Sequence, residues 1–351
     1  MSKNPRFPKV RENSEFLPKN PSPAKCHSKI ASMKKWLVTG GAGYIGSHVA
    51  HDLIKAGADV AIFDDLSTGY ESFVPTGATL VKANLNDIAK LKEAMAGAYG
   101  VMHLAAYKYA SESVTHPLEN HESNVVGTFN LLTVMQELGV NNLIFSSSAG
   151  VYGSLEKLPA TEESFCEPES PYASSKLMGE MMIKEVVATK NSKAPLQAIS
   201  LRYFNVVGSS YPHLSDKSPF SLFSIIMNKF KNGETPLITG KDFPTPDGTP
   251  IRDFIHVGDI SSAHVLAAQY MEETPAGYEV LNLSTGTGIS VLEVMNEFKK
   301  QLGDSFTFDY TGRRPGDPTA SYGDATKAKK LLGWHAKEGL NSMVSSTIST
   351  R

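Results

Sequence analysis

From Trp36 onward, short runs of apolar and β-branched residues alternate with segments whose apolar positions recur every three to four residues. The runs Trp36–Thr39, Val60–Phe63, Leu80–Lys82, Val101–Ala105, Leu143–Ser147 and Ala198–Tyr203 are nearly uninterrupted. That pattern predicts strands buried on both faces, since a strand with one wet side alternates apolar and polar. Between them lie amphipathic stretches, such as Ile45, Val49 and Leu53 on one helical face. Strand–helix alternation of this kind predicts a doubly wound α/β domain, a parallel sheet with helices on both sides.

After Asn205 the texture changes: Pro, Gly, Ser and Asp become frequent, and the 16 residues Lys241–His256 show little regular pattern. A smaller C-terminal domain that closes over the first is expected here. Ile260–Tyr270 and Tyr278–Leu283 read as a helix and a strand that return to the main sheet. The expected division is 1–34 as an extension, 35–204 as the α/β domain joined by about 255–283, and 205–254 with 284–351 as the second domain.

Composition narrows the class. With 351 residues, 41% hydrophobic, 20% charged and 9% aromatic, the chain is globular. No run approaches the roughly 20 apolar residues of a membrane span, so no membrane partner is expected. Cys26 and Cys166 make no disulfide scaffold and have no spaced Cys/His partners, which leaves a cytoplasmic, metal-free protein as the expectation. The net charge of −2 hides an asymmetry, because residues 1–35 carry nine Lys/Arg and two Asp/Glu, leaving the remainder at −9. An acidic body argues against nucleic acid as a partner. The first 35 residues hold five prolines and no apolar periodicity, and read as disordered. Their basic, acid-poor character is shared with transit peptides, although the prolines oppose an amphipathic helix; Met33 is an alternative start.

Candidate chemistry begins with Thr39-Gly40-Gly41-Ala42-Gly43-Tyr44-Ile45-Gly46, between the first strand and the first helix. Gly40, Gly43 and Gly46 suit a turn that needs backbone freedom, close approach of a pyrophosphate, and tight helix–sheet packing, as in a Rossmann fold. The helix N-terminus then offers free N–H groups to phosphate. Alone the glycines are equally an ordinary turn. The second strand ends in Phe63-Asp64-Asp65, where a carboxylate can accept ribose hydroxyls and repel a 2′-phosphate, which favours NAD over NADP. Asp65 also reads as a turn-opening residue.

Ser170-Pro171-Tyr172-Ala173-Ser174-Ser175-Lys176 reads as a helix start, with Ser170 as the cap and Pro171 in the first turn. Tyr172 and Lys176, four residues apart, then share a face. A tyrosine that acts as a base near pH 7 must titrate roughly 3 pH units below its usual value of about 10, and a nearby ammonium acts in that direction. Tyr-x-x-x-Lys occurs by chance on solvated helices, but here it follows the strand ending Phe145-Ser146-Ser147-Ser148, which sets the Ser148 hydroxyl at the same sheet edge.

Together with Phe63–Thr68, His103–Lys108, Asn124–Thr128, Leu201–Asn205, Pro244–Val257 and Arg313–Asp317, these motifs closely resemble the extended short-chain dehydrogenase/reductase family, and within it the branch of UDP-glucose 4-epimerases. The resemblance covers nearly all of residues 33–333 in order. It implies a Rossmann NAD-binding domain with a smaller C-terminal substrate-binding domain, a nucleotide-sugar substrate, and a homodimer. It implies NAD that is held and recycled while C4 of the sugar is oxidised and returned inverted, with Tyr172 as base, Ser148 assisting and Lys176 supporting Tyr172 and the cofactor ribose. Cofactor positions carried over are Tyr44, Ile45, Asp64, Asp65, Leu66, Ser67, Thr68, Asn84, Leu85, Leu104, Ala105, Ala106, Lys108, Asn124 and Phe204. Toward the substrate the resemblance points to Lys108, Asn205, Ser221, Thr239, Arg252, Arg314, Asp317 and Ser321.

Departures from the family pattern matter. Asn84 replaces an adenine-side Asp, and Ser221 and Thr239 replace the Asn and aromatic residue that hold uracil, which leaves the base open. Ser321 stands where some relatives carry a bulky Tyr, so a 2-acetamido sugar is expected to fit. A 4,6-dehydratase on the same scaffold needs a further acid/base pair, whereas Ala149-Gly150 follow Ser148. Other pyranose 4-epimerases, and a non-catalytic dinucleotide sensor, complete the alternatives. His103, His256 and Cys166 read as packed residues, and Met178, Met181 and Met182 as packing with a dimer face.

Overall fold

Successive side chains of a strand point to opposite faces, so a strand without polar positions needs cover on both. The computed structural model, which describes residues 34–189, 195–274, 277–314 and 316–350, provides it. The basic extension up to Met33, with Cys26, lies outside the described residues. Six strands come first: β1 (Lys35–Thr39), β2 (Asp59–Asp64), β3 (Thr79–Lys82), β4 (Gly100–His103), β5 (Asn142–Ser146) and β6 (Gln197–Tyr203). Four short ones follow, β7 (Asn205–Val207), β8 (Leu237–Thr239), β9 (Ile251–Arg252) and β10 (Phe254–His256). Then come β11 (Tyr278–Leu283), β12 (Ile289–Ser290), β13 (Asp309–Thr311) and β14 (Ala320–Ser321). The main sheet runs β11-β6-β5-β4-β1-β2-β3, parallel throughout, which is the doubly wound Rossmann arrangement.

In β1, Trp36 and Val38 enter the cluster that holds Val49 and Leu53 of helix α1 (Tyr44–Lys55). Leu37 enters the opposite cluster, with Leu91 of α2 (Ile88–Met95). The small helices α3 (Ala110–Thr115) and α4 (Pro117–His121) lead through one π-helical turn, Glu122–Val126, into α5 (Gly127–Leu138), whose Leu131 and Met135 join Leu37. Helix α6 (Pro171–Val187) adds Ile183 to that face. A separate core gathers Phe223 and Met227 of α7 (Leu222–Lys231), Phe254, Phe298 and Phe306 beyond the sheet. Helix α8 (Val257–Glu273) returns to the first cluster through Ile260 and Ala267 and leads to β11, as the sequence pattern predicts. Last come α9 (Val291–Leu302), α10 (Thr326–Leu332) and α11 (Leu340–Ser349).

Strand ends differ from the sequence reading. β4 stops at His103 and β5 at Ser146, two and one residues early, because the chain turns into the loops of the carboxyl edge. Lys241–His256, expected to be irregular, contains β9 and β10. β9 pairs with β12 and β14, and β10 with β7, so each strand of two or three residues exists through partners distant in the chain and leaves no local period. Among the described residues, no helix is long and apolar enough to cross a membrane.

Candidate active site

Close packing explains the glycines of the first loop. Gly40 has φ +71°, and a β-carbon there would lie 2.6 Å from the Ala105 amide nitrogen; one on Gly46 would lie 2.1 Å from the Gly40 carbonyl. Gly43 caps α1 without any side-chain hydrogen bond, which leaves first-turn amides available to an anion. This cradle, which a side chain would fill, fits a pyrophosphate. Asp64 closes it at the end of β2: its Oδ2 accepts from Ala42 N at 3.0 Å and its Oδ1 from Leu66 N at 2.8 Å. Burial pushes the Asp64 carboxyl up, against those two amides. Leu66 itself is left-handed, φ +60°, a conformation of order 1–3 kcal/mol above the ordinary. Exposed Asp65 accepts from Ser67 N at 2.8 Å, the turn role; Ser67 and Thr68 are exposed beside it.

Other expected cofactor positions divide. Leu85 is buried, whereas Asn84 is exposed and its Oδ1 already accepts from Asn86 N at 3.0 Å. Leu104, Ala105 and Ala106 line the half-buried exit of β4, and Lys108 has the charges of Asp64 and Asp216 near its ammonium. Asn124, in the π-helical turn, is taken up inside the protein. Its Oδ1 accepts from Tyr107 N at 2.7 Å, and its Nδ2 donates to Ser175 Oγ at 2.9 Å and to Tyr107 O at 3.2 Å. It braces the loop that carries Lys108. Tyr44 Oη donates to Gly208 O at 2.5 Å, and Ile45 packs against the core below α1.

Ser170 caps α6 through Ala173 N at 3.2 Å with Pro171 in the first turn, as expected. Ser148 caps the short 3₁₀ turn Ala149–Tyr152, two residues past the end of β5, where its hydroxyl acts on the Tyr172 phenol. The Lys176 ammonium lies 5.9 Å from the Tyr172 ring centre and donates to Ser146 O at 2.8 Å. The three side chains meet as the motif implied, but the expected electrostatics do not hold in the protein alone. Burial pushes the Tyr172 phenol up to about 12, with Ser148 opposing. Burial also brings Lys176 down to about 7, against the pull of Glu180, so near neutral pH the lysine loses much of the charge meant to lower the phenol.

Glu180 is a residue the sequence reading missed. It makes a two-pronged ion pair with buried Arg202, at 2.8 and 2.5 Å, and accepts from Ser147 Oγ at 2.5 Å. The signal was present: Tyr172, Lys176 and Glu180 succeed one another at four-residue intervals on one face of α6.

On the substrate side, Arg252 pairs with Asp317 at 3.0 Å, and Ser321 is its parallel neighbour across β9–β14. Exposed Arg314 and half-buried Asp317 line an open cavity of about 520 Å³ with Ser154, Arg313 and Thr319. Asn205 is exposed at the start of β7, and Phe204 packs over Gly323. The Ser221 hydroxyl donates to Asp216 Oδ2 at 2.5 Å and lies 3.0 Å from Ser224 Oγ, within its own loop. Thr239 sits in β8 paired with Thr311 of β13, in a different sheet from the β9 strand of Arg252.

His103 is buried between the hydroxyls of Thr39, at 2.7 Å, and Thr128, at 3.0 Å; His256 binds Gly258 N and Ser346 Oγ. Both are packed, as read. Met182 joins the core around α6, while Met178 and Met181 are exposed, as are Leu118 of α4 and Phe129 of α5.

The model of the NAD dependent epimerase/dehydratase family matches residues 36–283. The chain is 39% identical over 304 residues to the UDP-glucose 4-epimerase of Corynebacterium glutamicum, covering 86% of this chain and 90% of that one. Its fold superimposes with a TM-score of 0.86, at 36% identity, on the crystal structure of a UDP-glucose 4-epimerase from Stenotrophomonas maltophila with bound NAD and formylated UDP-arabinopyranose, over 90% of this chain and 97% of that one. The UDP-Glc/GlcNAc 4-epimerase of Campylobacter jejuni gives a TM-score of 0.78 at 33% identity, over 90% and 98%.

Proposed function

The chain belongs to the NAD dependent epimerase/dehydratase family, and on that premise we propose that it inverts C4 of UDP-glucose and UDP-galactose through a transient 4-keto sugar. The observation that carries this reading is the meeting of Ser148, Tyr172 and Lys176 at the sheet edge where the glycine cradle and Asp64 lie. When bound, NAD supplies the hydride acceptor and donor, and its oxidised ring adds the positive charge that the buried Tyr172 phenol lacks in the protein alone. Tyr172, once ionised, takes the proton of the sugar 4-hydroxyl by way of the Ser148 hydroxyl and gives it back to the same oxygen after the sugar has presented its other face. Lys176, held by Ser146 O and by Glu180 beneath it, stays within reach of the phenol. Gly40, Gly43, Gly46 and Asp64 hold the pyrophosphate and ribose.

Arg252, oriented by Asp317, and Arg314 take the substrate diphosphate with charge-assisted hydrogen bonds. The diphosphate end is thereby anchored while the sugar turns over. We assign residues 35–204 with about 255–283 to the cofactor, and 205–254 with 284–351 to the substrate. Half-buried Ser321, small and next to Arg252, supports acceptance of the N-acetylated sugars as well. Exposed Leu118, Phe129, Met178 and Met181 on neighbouring helices support a homodimer, and the two-cysteine composition suits a cytoplasmic protein.

The deciding experiment incubates the protein with UDP-galactose and no added reductant. UDP-glucose is the expected product; a 4-keto-6-deoxy product would select the dehydratase reading. With UDP-GlcNAc, absence of the galacto epimer beside active hexose conversion would refute the wider specificity.

A further inference from the structure

A dinucleotide on this fold crosses the carboxyl edge of β1, between the loop that follows β2 and the loop that follows β4. The segment Asp216–Ser221 touches both. On the β2 side, the Lys217 ammonium lies 3.9 Å from the ring centre of Tyr70 and 5.0 Å from that of Phe73, and the two rings are 5.1 Å apart. Tyr70 is tied to the phosphate loop, since its N–H donates to Ala42 O at 2.9 Å. On the β4 side, Phe220 packs against Tyr109 with ring centres 4.9 Å apart, next to Lys108.

Between its two ends the segment is stapled by Asp216. The carboxylate accepts from Ser218 N at 3.0 Å and Ser221 Oγ at 2.5 Å, and the Asp216 carbonyl accepts from Ser224 Oγ at 2.6 Å in α7. Opening it therefore means breaking the contacts at the ends, while the segment keeps its shape.

We propose that Asp216–Ser221 is a strap across the cofactor cleft, and that Lys217, by its cation–π contact with Tyr70 and Phe73, sets how slowly NAD leaves. Lys217 is in this account a positioning residue; it touches neither substrate nor reacting atoms. The inference rests on the functional reading above, and it explains how an enzyme that regenerates its oxidant each cycle can retain it.

The test loads full-length protein with radiolabelled NAD and follows its exchange against excess unlabelled NAD. Lys217→Met is expected to speed exchange roughly 2- to 5-fold, the scale of a solvent-accessible cation–π contact, with kcat at saturating NAD unchanged. Lys217→Arg and Tyr70→Phe keep a cation and a ring, and are expected to exchange like the unaltered protein. Tyr70→Ala, which leaves only the longer contact with Phe73, is expected to act in the same direction as Lys217→Met, and the double variant Lys217→Met/Tyr70→Ala to be no faster than the faster single. Lys217 is exposed, so its replacement opens no cavity in the core. Exchange at the unaltered rate in Lys217→Met, or effects that multiply in the double variant, overturns the strap alone. Failure of the unaltered protein to take up NAD at all overturns the functional reading, and the strap with it.

Discussion

On the side of the cleft that we assign to the cofactor, Gly40 and Gly46 leave no space for a β-carbon, whereas around Gly312 and Gly316, on the rim assigned to the substrate, such an atom would meet nothing within 4 Å. The contrast extends to polar groups. Asp64, His103 and Asn124 are buried and engaged on two or more sides, while Arg314 stands exposed over an open cavity. On the function proposed above, the difference follows from what each rim has to hold. A cofactor bound in one pose favours a rigid backbone cradle, since pre-organised donors lose little freedom on binding. A sugar that must present both faces needs room, so its anchor is confined to the diphosphate end.

The sharpest way to break this division is Tyr172→Phe, which removes the phenolic oxygen and leaves the ring. Conversion is expected to fall by about 10²- to 10⁴-fold, with NAD retention, read from bound-cofactor absorbance, unchanged. Persistent turnover would disqualify Tyr172 as the base.

Next in size is a matched pair of glycine changes. Gly46→Ala puts a methyl against the Gly40 carbonyl and is expected to destabilise the fold by roughly 1–3 kcal/mol and to abolish NAD uptake. Gly316→Ala meets only the strain of its φ of +76°, about 1 kcal/mol, and should leave NAD uptake intact. Equal losses of NAD binding in the two variants would erase the distinction between the rims.

Arg252→Ala is expected to raise KM for UDP-galactose by roughly 10- to 100-fold, the scale of a lost charge-assisted hydrogen bond, with NAD affinity unaltered. Asp317→Asn should act in the same direction but less, since it loosens Arg252 without removing it. A fall in NAD affinity in either variant would put Arg252 on the wrong side of the cleft.

The smallest effect is acidic. Burial holds His48 and His264 down at about 4 and His103 at about 3, so the folded protein keeps them neutral while the unfolded chain titrates near 6.5. Their contribution is complete above pH 6.5 and is lost as pH falls toward 4. Each should reduce stability by about 1 kcal/mol between pH 8 and pH 6, measured by urea unfolding. His103→Asn, which hydrogen-bonds without titrating, should flatten that slope.

Much of this was legible in the chain. The β1 to β6 runs, the Ser170 cap and the glycine loop are local patterns, and Ser148, Tyr172 and Lys176 come together as their spacing implied. The tie of Ser221 to Asp216 went unread, because both belong to one irregular loop and leave no periodic mark. The strap residues went unread for a similar reason: Lys217 and Tyr70 are exposed and distant in the chain, and nothing in either segment announces the other.

The sequence by itself determined the doubly wound sheet, the glycine loop and the placement of Tyr172 and Lys176 on one helical face, since each is written in apolar period, glycine spacing or helix register. Tertiary structure alone decided the electrostatics of Tyr172 and Lys176 and the shape of the rim around Arg252 and Arg314. Burial is a property of the whole packed molecule, and it sent Tyr172 up and Lys176 down where spacing alone predicted the reverse for the phenol. The pairing of Arg252 with Asp317, and of β9 with β12 and β14, likewise joins segments too short and too far apart to show any pattern before the chain has folded.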